Sequence, residues 1–378
     1  MANNIVKVVP QLLAQGLMAL RENALTPQLV NRAYEPMAGP EGSTIDVPIP
    51  SAITAVAVTP AATPPATADI VPTSVPVTLD RWFEAPFQLS DKEQLEVMRG
   101  TIPMVASEAV KSLANEVDRF ILALGSKFFG YVTPEGGSPL AAFGAATPTT
   151  KDATSLMTVL NKQVAPLDPR YAVLSATAHG NALNVRAFQD ASFGGGPLAL
   201  IEGKLAPKFG FGWFMDQNVQ THTAGTGAGY LVNSTTLVVG DKVIPADTGT
   251  GTILVGDLVT FAGHTQTYVV TSALSGGSFS IEPGLVSVPA NNAAITLKTS
   301  HVMNLGFHRD AIAFATRPLA ASGHPGSIID TQVDPVSGLA LRLEVTREHK
   351  RDRFSFDILY GAAVIRRELG ARLPEHLS

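Results

Sequence analysis

The stretch from Leu89 to Gly125 constrains the fold more than any other part of this 378-residue chain. Ser90 and Glu93 have capping-box spacing: the serine hydroxyl accepts from the Glu93 N–H, and the Glu93 carboxylate reaches back to the N–H of Ser90. Gly100, Thr101 and Pro103 then interrupt the pattern. A proline is tolerated near a helix start because its missing N–H had no partner there. The spacing predicts a short helix, a kink that can act as a joint, and a long second helix from about Pro103 to Leu124. Ala106, Ala109, Val110, Leu113, Val117, Phe120, Ile121 and Leu124 fall on one apolar stripe, and Ser107, Glu108, Lys111, Asn115, Glu116 and Asp118 fill the other face. Gly125 comes next, where a C′ glycine is expected. At ~1.5 Å per residue the second helix is about 33 Å long. An ordinary core helix would show the same stripe; a spine with lobes at both ends is the sharper reading, and the flanking sequence decides between them.

The flank before it is unusual. Gly42–Leu79 carries two charges, Asp46 and Asp69, and seven prolines set among β-branched residues and alanines. Ile45–Val58 and Ile70–Asp80 read as two strands joined through Thr59–Ala68. Pro48 and Pro50 share parity on the first strand, as do Pro72 and Pro76 on the second, so one edge of each strand lacks donors while the other can pair. Such a hairpin reaches about 40 Å at ~3.3 Å per residue. A compact body of this size has a radius of gyration of only about 21 Å. The arm therefore projects or lies across something else. A disordered proline-rich linker is the competing reading, and the run of isoleucines and valines argues against it.

Elsewhere the signals are more local. Pro10–Arg21 suggests a short amphipathic helix with Leu12, Leu13, Leu17 and Leu20 on one side. Thr150 caps a helix to about Val164 that faces inward through Leu156, Met157, Leu160 and Val164. Tyr171–Ser175 is a short buried strand and Thr177–Phe188 another helix. Ser192–Gly212 is glycine-rich and predicts tight turns. From Thr221 to Ser300 the chain changes to Thr, Ser, Gly and Val, with short strands at Tyr230–Asn233, Thr236–Val239, Ile253–Leu254, Leu258–Ala262, Thr267–Thr271, Ser278–Ile281 and Ala294–Lys298. That pattern predicts a small β-barrel or sandwich inserted in a host domain. Leu339–Arg347 alternates cleanly, and Phe354, Phe356, Ile358 and Tyr360 continue after a turn at His349–Asp352, which predicts a hairpin.

Chemistry is hard to find. There are no cysteines, which excludes disulfides and thiolate sites. The eight histidines are scattered, with no metal-ligand spacing. Gly203-Lys204 lacks the upstream glycine of a phosphate loop, and the glycines at 225–229 are not placed as a dinucleotide fingerprint. There is no nucleophile elbow. Glu116 and Asp118 read as solvated helix surface. Charged residues are only 16% of the chain, against about 25% in an average soluble protein. A surface so poor in charge points to a subunit that lives in an assembly. A net charge of −5 gives no electrostatic case for nucleic-acid binding by the whole chain. No apolar run is long enough to cross a membrane, and no secretory leader is evident. Arg347, Lys350, Arg351 and Arg353 crowd one turn with Glu348 and Asp352 between them, which reads as a solvated tip rather than a phosphate patch. Arg81, Glu84, Asp91, Glu93 and Arg99 flank the base of the arm and are the candidate inter-subunit contacts, where charge sets register more than affinity.

The order of these parts resembles the major capsid protein of tailed bacteriophages, in the coat-protein branch that carries an inserted β domain. The residues that carry the resemblance are F-Q-L-S-D-K-E at 87–93, S-L-A-N-E-V-D at 112–118, N-L-G-F-H-R-D-A-I-A-F-A-T-R-P-L at 304–319 and F-D-I-L-Y-G at 356–361. It implies an α+β fold: an N-terminal arm (1–40), an extended β arm (41–88), the spine helix and peripheral domain (89–150), an axial domain in two parts (151–221 and 301–335), an inserted β-barrel (222–300), and a peripheral hairpin with the C-terminus (336–378). It also implies hexamers and pentamers closing into an icosahedral shell, a scaffolding protein, a portal, and packaged double-stranded DNA on the inner face. The shell would be assembled in the host bacterial cytoplasm and become the virion capsid. No catalytic residue, metal or cofactor is carried over. Two other readings stay open: a compartment shell of the encapsulin kind, and a glycan-binding surface or tail protein built on 222–300. An enzyme has the least support.

Overall fold

The structure is a computed structural model that describes residues 13–14, 16, 24–34, 44–49, 60, 73–92, 101–137, 140–190, 201–319, 327–333 and 339–376. It is α+β, built around a helix from Thr101 to Ala123 that tightens into a 3₁₀ turn at Leu124–Lys127. The predicted stripe is buried at Ala106, Val110, Leu113, Val117, Ile121 and Leu124. Ala109 and Phe120 sit at its half-buried margin, and Ala114, Leu122 and Asp118 are buried as well. Asp118 therefore corrects the solvated-face reading. The N-terminal segment around the short helix Thr26–Leu29 packs on that flank, and the backbone N–H groups of Leu25 and Thr26 donate to the carboxylate at 3.2 and 3.0 Å. Gly125 is also corrected: its backbone stays out of the left-handed region. A Cβ there would lie 2.5 Å from the Leu305 side chain, so close packing requires the glycine. Glu93 and Gly100, and with them the capping box and the joint, lie outside the described residues.

The helix packs on an antiparallel sheet in which Arg351–Val364 is central. It pairs with Ala340–Glu348, Ile312–Arg317 and Arg81–Ser90, and Ser327–Val333 pairs outward on Ala340–Glu348. One face carries Leu341, Leu343, Val345, Phe354, Phe356, Ile358 and Tyr360 into the same core as the spine helix. The predicted hairpin is present with a shorter turn, His349–Lys350, in which Lys350 takes a φ of 57°. Arg81–Ser90 is a ten-residue strand bonded along its length to the C-terminal hairpin, although the sequence division assigns 81–88 to the arm. Its signal was legible, since Phe83, Ala85, Phe87 and Leu89 alternate with Trp82, Glu84, Pro86 and Gln88.

The root of the predicted arm is a two-stranded hairpin, Thr44–Ile49 against Thr73–Thr78. Asp46 faces Pro76 and Pro48 faces Ser74. Both prolines share the parity at which an antiparallel ladder needs no N–H. Ile45, Val47, Val77 and Leu79 pack on Ala313 and Ala315, on the sheet face away from the spine. A Cβ at Gly361 would lie 2.0 Å from the Thr78 carbonyl oxygen, so this glycine lets the root lie against the sheet. Most of the predicted arm, 50–59 and 61–72, lies outside the described residues, as does most of the predicted N-terminal helix. Of that helix, Leu13 is buried in the spine core.

A second sheet runs in the order Gly130–Tyr131, Gly370–Glu375, His301–His308, Arg170–Leu174, Gly212–Met215, with Thr221–His222 also pairing on His301–His308. Pairing cuts across the predicted division at residue 335. Ile312–Arg317 joins the spine sheet, while Gly370–Glu375, near the C-terminus, joins this second sheet. Lys151–Lys162 is helical as predicted, but Val164 beyond it is 86% exposed and leaves the buried face. The third sheet lies wholly within 231–297, in the order Leu231–Val232, Val243–Asp247, Ser278–Glu282, Tyr268–Ser275, Leu258–Phe261, Ile295–Leu297. Its two ends meet: Ile295 N–H donates to the Tyr230 carbonyl at 2.9 Å and Val232 N–H to the Ala293 carbonyl at 3.0 Å. It encloses a separate core of Tyr230, Ile244, Phe261, Tyr268, Phe279 and Ile281. Thr236–Val239 and Ile253–Leu254, predicted as strands, are loop; Val238 and Val239 are exposed, and Ile253 alone is buried. The strand at Val243–Asp247 replaces them.

Candidate assembly surface and the stem of the insertion

The face of the spine sheet away from the helix has two characters. At one end it is apolar and covered by the arm root. At the other it carries a ladder of paired charges. Arg342 grips Asp357 with Nε at 2.9 Å and Nη2 at 2.5 Å, and the Trp82 indole N–H donates to the same carboxylate at 3.0 Å. The bidentate carboxylate holds the Arg342 guanidinium above its usual value. Trp82 lies beside Arg342, 5.8 Å from guanidinium carbon to ring centroid, and is nonetheless 61% exposed. Glu84 accepts from Arg353 Nη2 and Ser355 Oγ, both at 2.9 Å. At the hairpin tip, on the parity of the spine-side face and so apart from that ladder, Arg347 bridges Asp91 at 2.7 Å and Asp352 at 2.9 Å, and it holds the Asp91 carboxyl below the usual range.

The five predicted contacts thus do not form one cluster. Glu84 and Asp91 join the arginine-rich hairpin. Arg81, of opposite parity to Glu84, lies on the spine side with its guanidinium 4.7 Å from the Phe120 ring centroid. Glu93 and Arg99 are outside the described residues. The tip arginines, read from sequence as a solvated cluster, are matched one by one to carboxylates, two of which come from the distant segment 84–91. Exposed ion pairs of this kind are screened by solvent, so they set register more than stability.

The second polar feature is buried. The insertion leaves the second sheet at His222 and returns at His301, and these two residues are opposite partners in the ladder. His222 Nε2 is 2.9 Å from Asp257 Oδ1, and Asp257 also accepts from the N–H groups of Gly225 and Leu254. Arg372, fully buried, donates Nε to the Gly125 carbonyl at 3.1 Å, Nη1 to Gly256 at 3.0 Å and Nη2 to Ser126. One guanidinium thereby ties the end of the spine, a turn of the insertion and the C-terminal strand. Burial pulls its pKa down, and the Asp257 carboxylate opposes that. Sequence reasoning missed this knot because its members are local nowhere: His222 and His301 meet only when the insertion closes. Among the described residues no group of three His, Asp or Glu is placed to hold a metal ion, and no helix is long and apolar enough to cross a membrane.

The architecture has counterparts among solved structures. A structure of Mycobacterium phage Che8 is 14% identical and superposes over 92% of this chain and 90% of its own, with a TM-score of 0.51. The capsid structure of the cyanophage P-SCSP1u is 13% identical over 89% of this chain and 85% of its own, with a TM-score of 0.50. The chain has the tailed-phage capsid fold. No protein-family model and no curated protein sequence matches it. On this capsid fold the charge ladder lies on the sheet face opposite the spine, and the His222–His301 crossing is the stem of the inserted sheet.

Proposed function

We propose that this chain is the major capsid protein of a tailed double-stranded DNA bacteriophage, a structural subunit that assembles as hexamers and pentamers into an icosahedral shell around the genome. The observation that carries the reading is the capsid fold, matched across about nine-tenths of the chain. Two features support it. The arm root, Thr44–Ile49 and Thr73–Thr78, is held against the sheet by its own apolar face, at the close approach that Gly361 allows. Trp82 is an anchored aromatic left in solvent beside that root, the kind of side chain that dominates interfaces. On this reading Arg81, Glu84 and Asp91, with Glu93 and Arg99, border the contact with a neighbouring subunit, and 222–300 stands away from the shell floor. A scaffolding protein, a portal and the packaged DNA complete the set of partners, and the chain assigns itself no catalytic step. Assembly takes place in the host bacterial cytoplasm and the product is the virion.

The test is direct. The purified chain, with and without a co-expressed scaffold, is run on size exclusion and the void fraction imaged by negative stain. Uniform closed shells are expected; a stable monomer in every condition overturns the reading. Nucleic acid inside native particles distinguishes a genome shell from a cargo compartment. Deleting 50–72 while keeping the packed root should leave a folded subunit that closes no shells.

A further inference from the structure

The stem of the insertion contains a histidine built to stay uncharged. His301 is fully buried, and its Nδ1 lies 2.8 Å from the Thr299 carbonyl oxygen. A carbonyl only accepts, so Nδ1 carries the proton and Nε2 holds the lone pair. Nε2 is buried and has no hydrogen-bond partner among the described residues. A second proton there would be an N–H with no acceptor.

None of the groups around it bonds to Nε2. On the facing strand is His222, with ring centroids 5.6 Å apart, already bound to Asp257. From the insertion comes Asp257, the one nearby carboxylate of that element, whose oxygens are taken by His222, Gly225 and Leu254. Lys298 lies 5.1 Å over the Tyr131 ring, and Tyr131 meets His301 edge-on. From the C-terminal strand come the Arg372 cation and Glu375, the latter bound to Ser175 and Asn304. A charged His301 would add a second buried cation beside Arg372.

We propose that the His222–His301 crossing is an acid-sensitive stem: uncharged His301 keeps the inserted sheet docked on the spine end and the C-terminal strand, and protonation at His301 opens that docking. Burial already holds the His301 pKa down at about 4, with Arg372 and His222 acting in the same direction and the Thr299 carbonyl and the Asp257 carboxylate against it. An exposed histidine titrates near ~6.5, so opening takes up a proton between that value and the docked one. Docking is intact above about pH 6.5 and weakens as pH falls, by up to about tenfold per unit, or about thirtyfold at pH 5.

Hydrogen exchange read by mass spectrometry on the full chain tests this, with rates corrected for intrinsic chemistry. Peptides spanning 221–226 and 299–303 should lose protection by up to about thirtyfold between pH 7 and pH 5, while peptides within 354–360 keep theirs. His301→Gln, which cannot take the proton, should cut that loss to less than about threefold. Unchanged protection of the stem in the natural chain, or an equal loss in the variant, overturns the proposal. Should the variant not fold, ring NMR of the natural chain decides: a His301 midpoint below about 5.5 supports the stem, and one at or above it refutes it.

Discussion

The spine sheet and the inserted sheet solve the same problem in opposite ways. The spine sheet borrows its cover: the 101–123 helix completes one face, the arm root covers part of the other, and its strands come from 81–90 and 312–364. The inserted sheet draws all six strands from 231–297 and closes its ends on each other, so its apolar side chains face one another. The first must collect its parts from the whole chain before any apolar surface is buried. The second buries its core within one local stretch, at lower loop-closure cost. Where the two bodies meet, the contact combines a small apolar patch, Phe129 against Leu258 and Val269, with the Arg372 knot.

The largest expected effect comes from that contrast. Residues 222–300 expressed alone should fold cooperatively, with strand-type circular dichroism and a single unfolding transition; a chain without it would show that the insertion depends on its host. Next comes the seam. Arg372→Met removes the donors to two buried carbonyls and a partly buried third and should destabilise the full chain by about 3 kcal/mol in urea unfolding, chiefly in the spine core and the stem. If the loss is under about 0.5 kcal/mol, the two bodies are not coupled through this residue. Gly125→Ala places a methyl group against Leu305 and should cost about 1–3 kcal/mol, leaving the insertion untouched.

Asp118 supplies a pH-dependent test confined to the spine side. Burial raises its carboxyl to about 7, and the nearby Asp216 carboxylate adds to that, while the Thr26 hydroxyl and the two backbone N–H groups oppose it. The folded value lies above the exposed one, so its stabilising contribution is full at acid pH and is lost as pH rises through about 7. Stability should fall by at most ~1.4 kcal/mol per unit as pH rises from about 4 to about 7 and level off above that, and Asp118→Asn should flatten that slope in denaturation at pH 5 and pH 7. A slope equal in both proteins would assign it to another group. The smallest effect on folding is expected for Trp82→Ala, within about 1 kcal/mol because the ring is mostly exposed, with a clear drop in shell yield by size exclusion. Normal yield would remove Trp82 from the contact.

Periodicity carried the local parts. The spine was legible because its apolar residues recur at helical spacing, and the C-terminal hairpin because Leu339–Val345 and Phe354–Tyr360 alternate strictly. The strand at 81–90 has the same alternation, set between the proline-rich arm and the capping-box spacing at Ser90 and Glu93. Of the predicted contact residues, Glu84 and Asp91 pair within the chain with Arg353 and Arg347, more than 250 residues away, a distance no spacing rule spans.

What the sequence determined by itself is which segments are helix or strand and which face of each is apolar, since both stem from the backbone repeat of 3.6 or 2 residues. The tertiary structure decided what covers each face. Asp118 sits on the polar side of its helix by spacing, yet the segment carrying Thr26 folds over it and makes it a buried acceptor. Gly125 looks like a helix stop and serves instead as room for Leu305. His301, one of eight scattered histidines in the sequence, becomes a buried uncharged base only because His222, Asp257 and Arg372 arrive from three other strands and turns. Burial and polar partnership depend on which distant segments close around a side chain, and periodicity does not encode that.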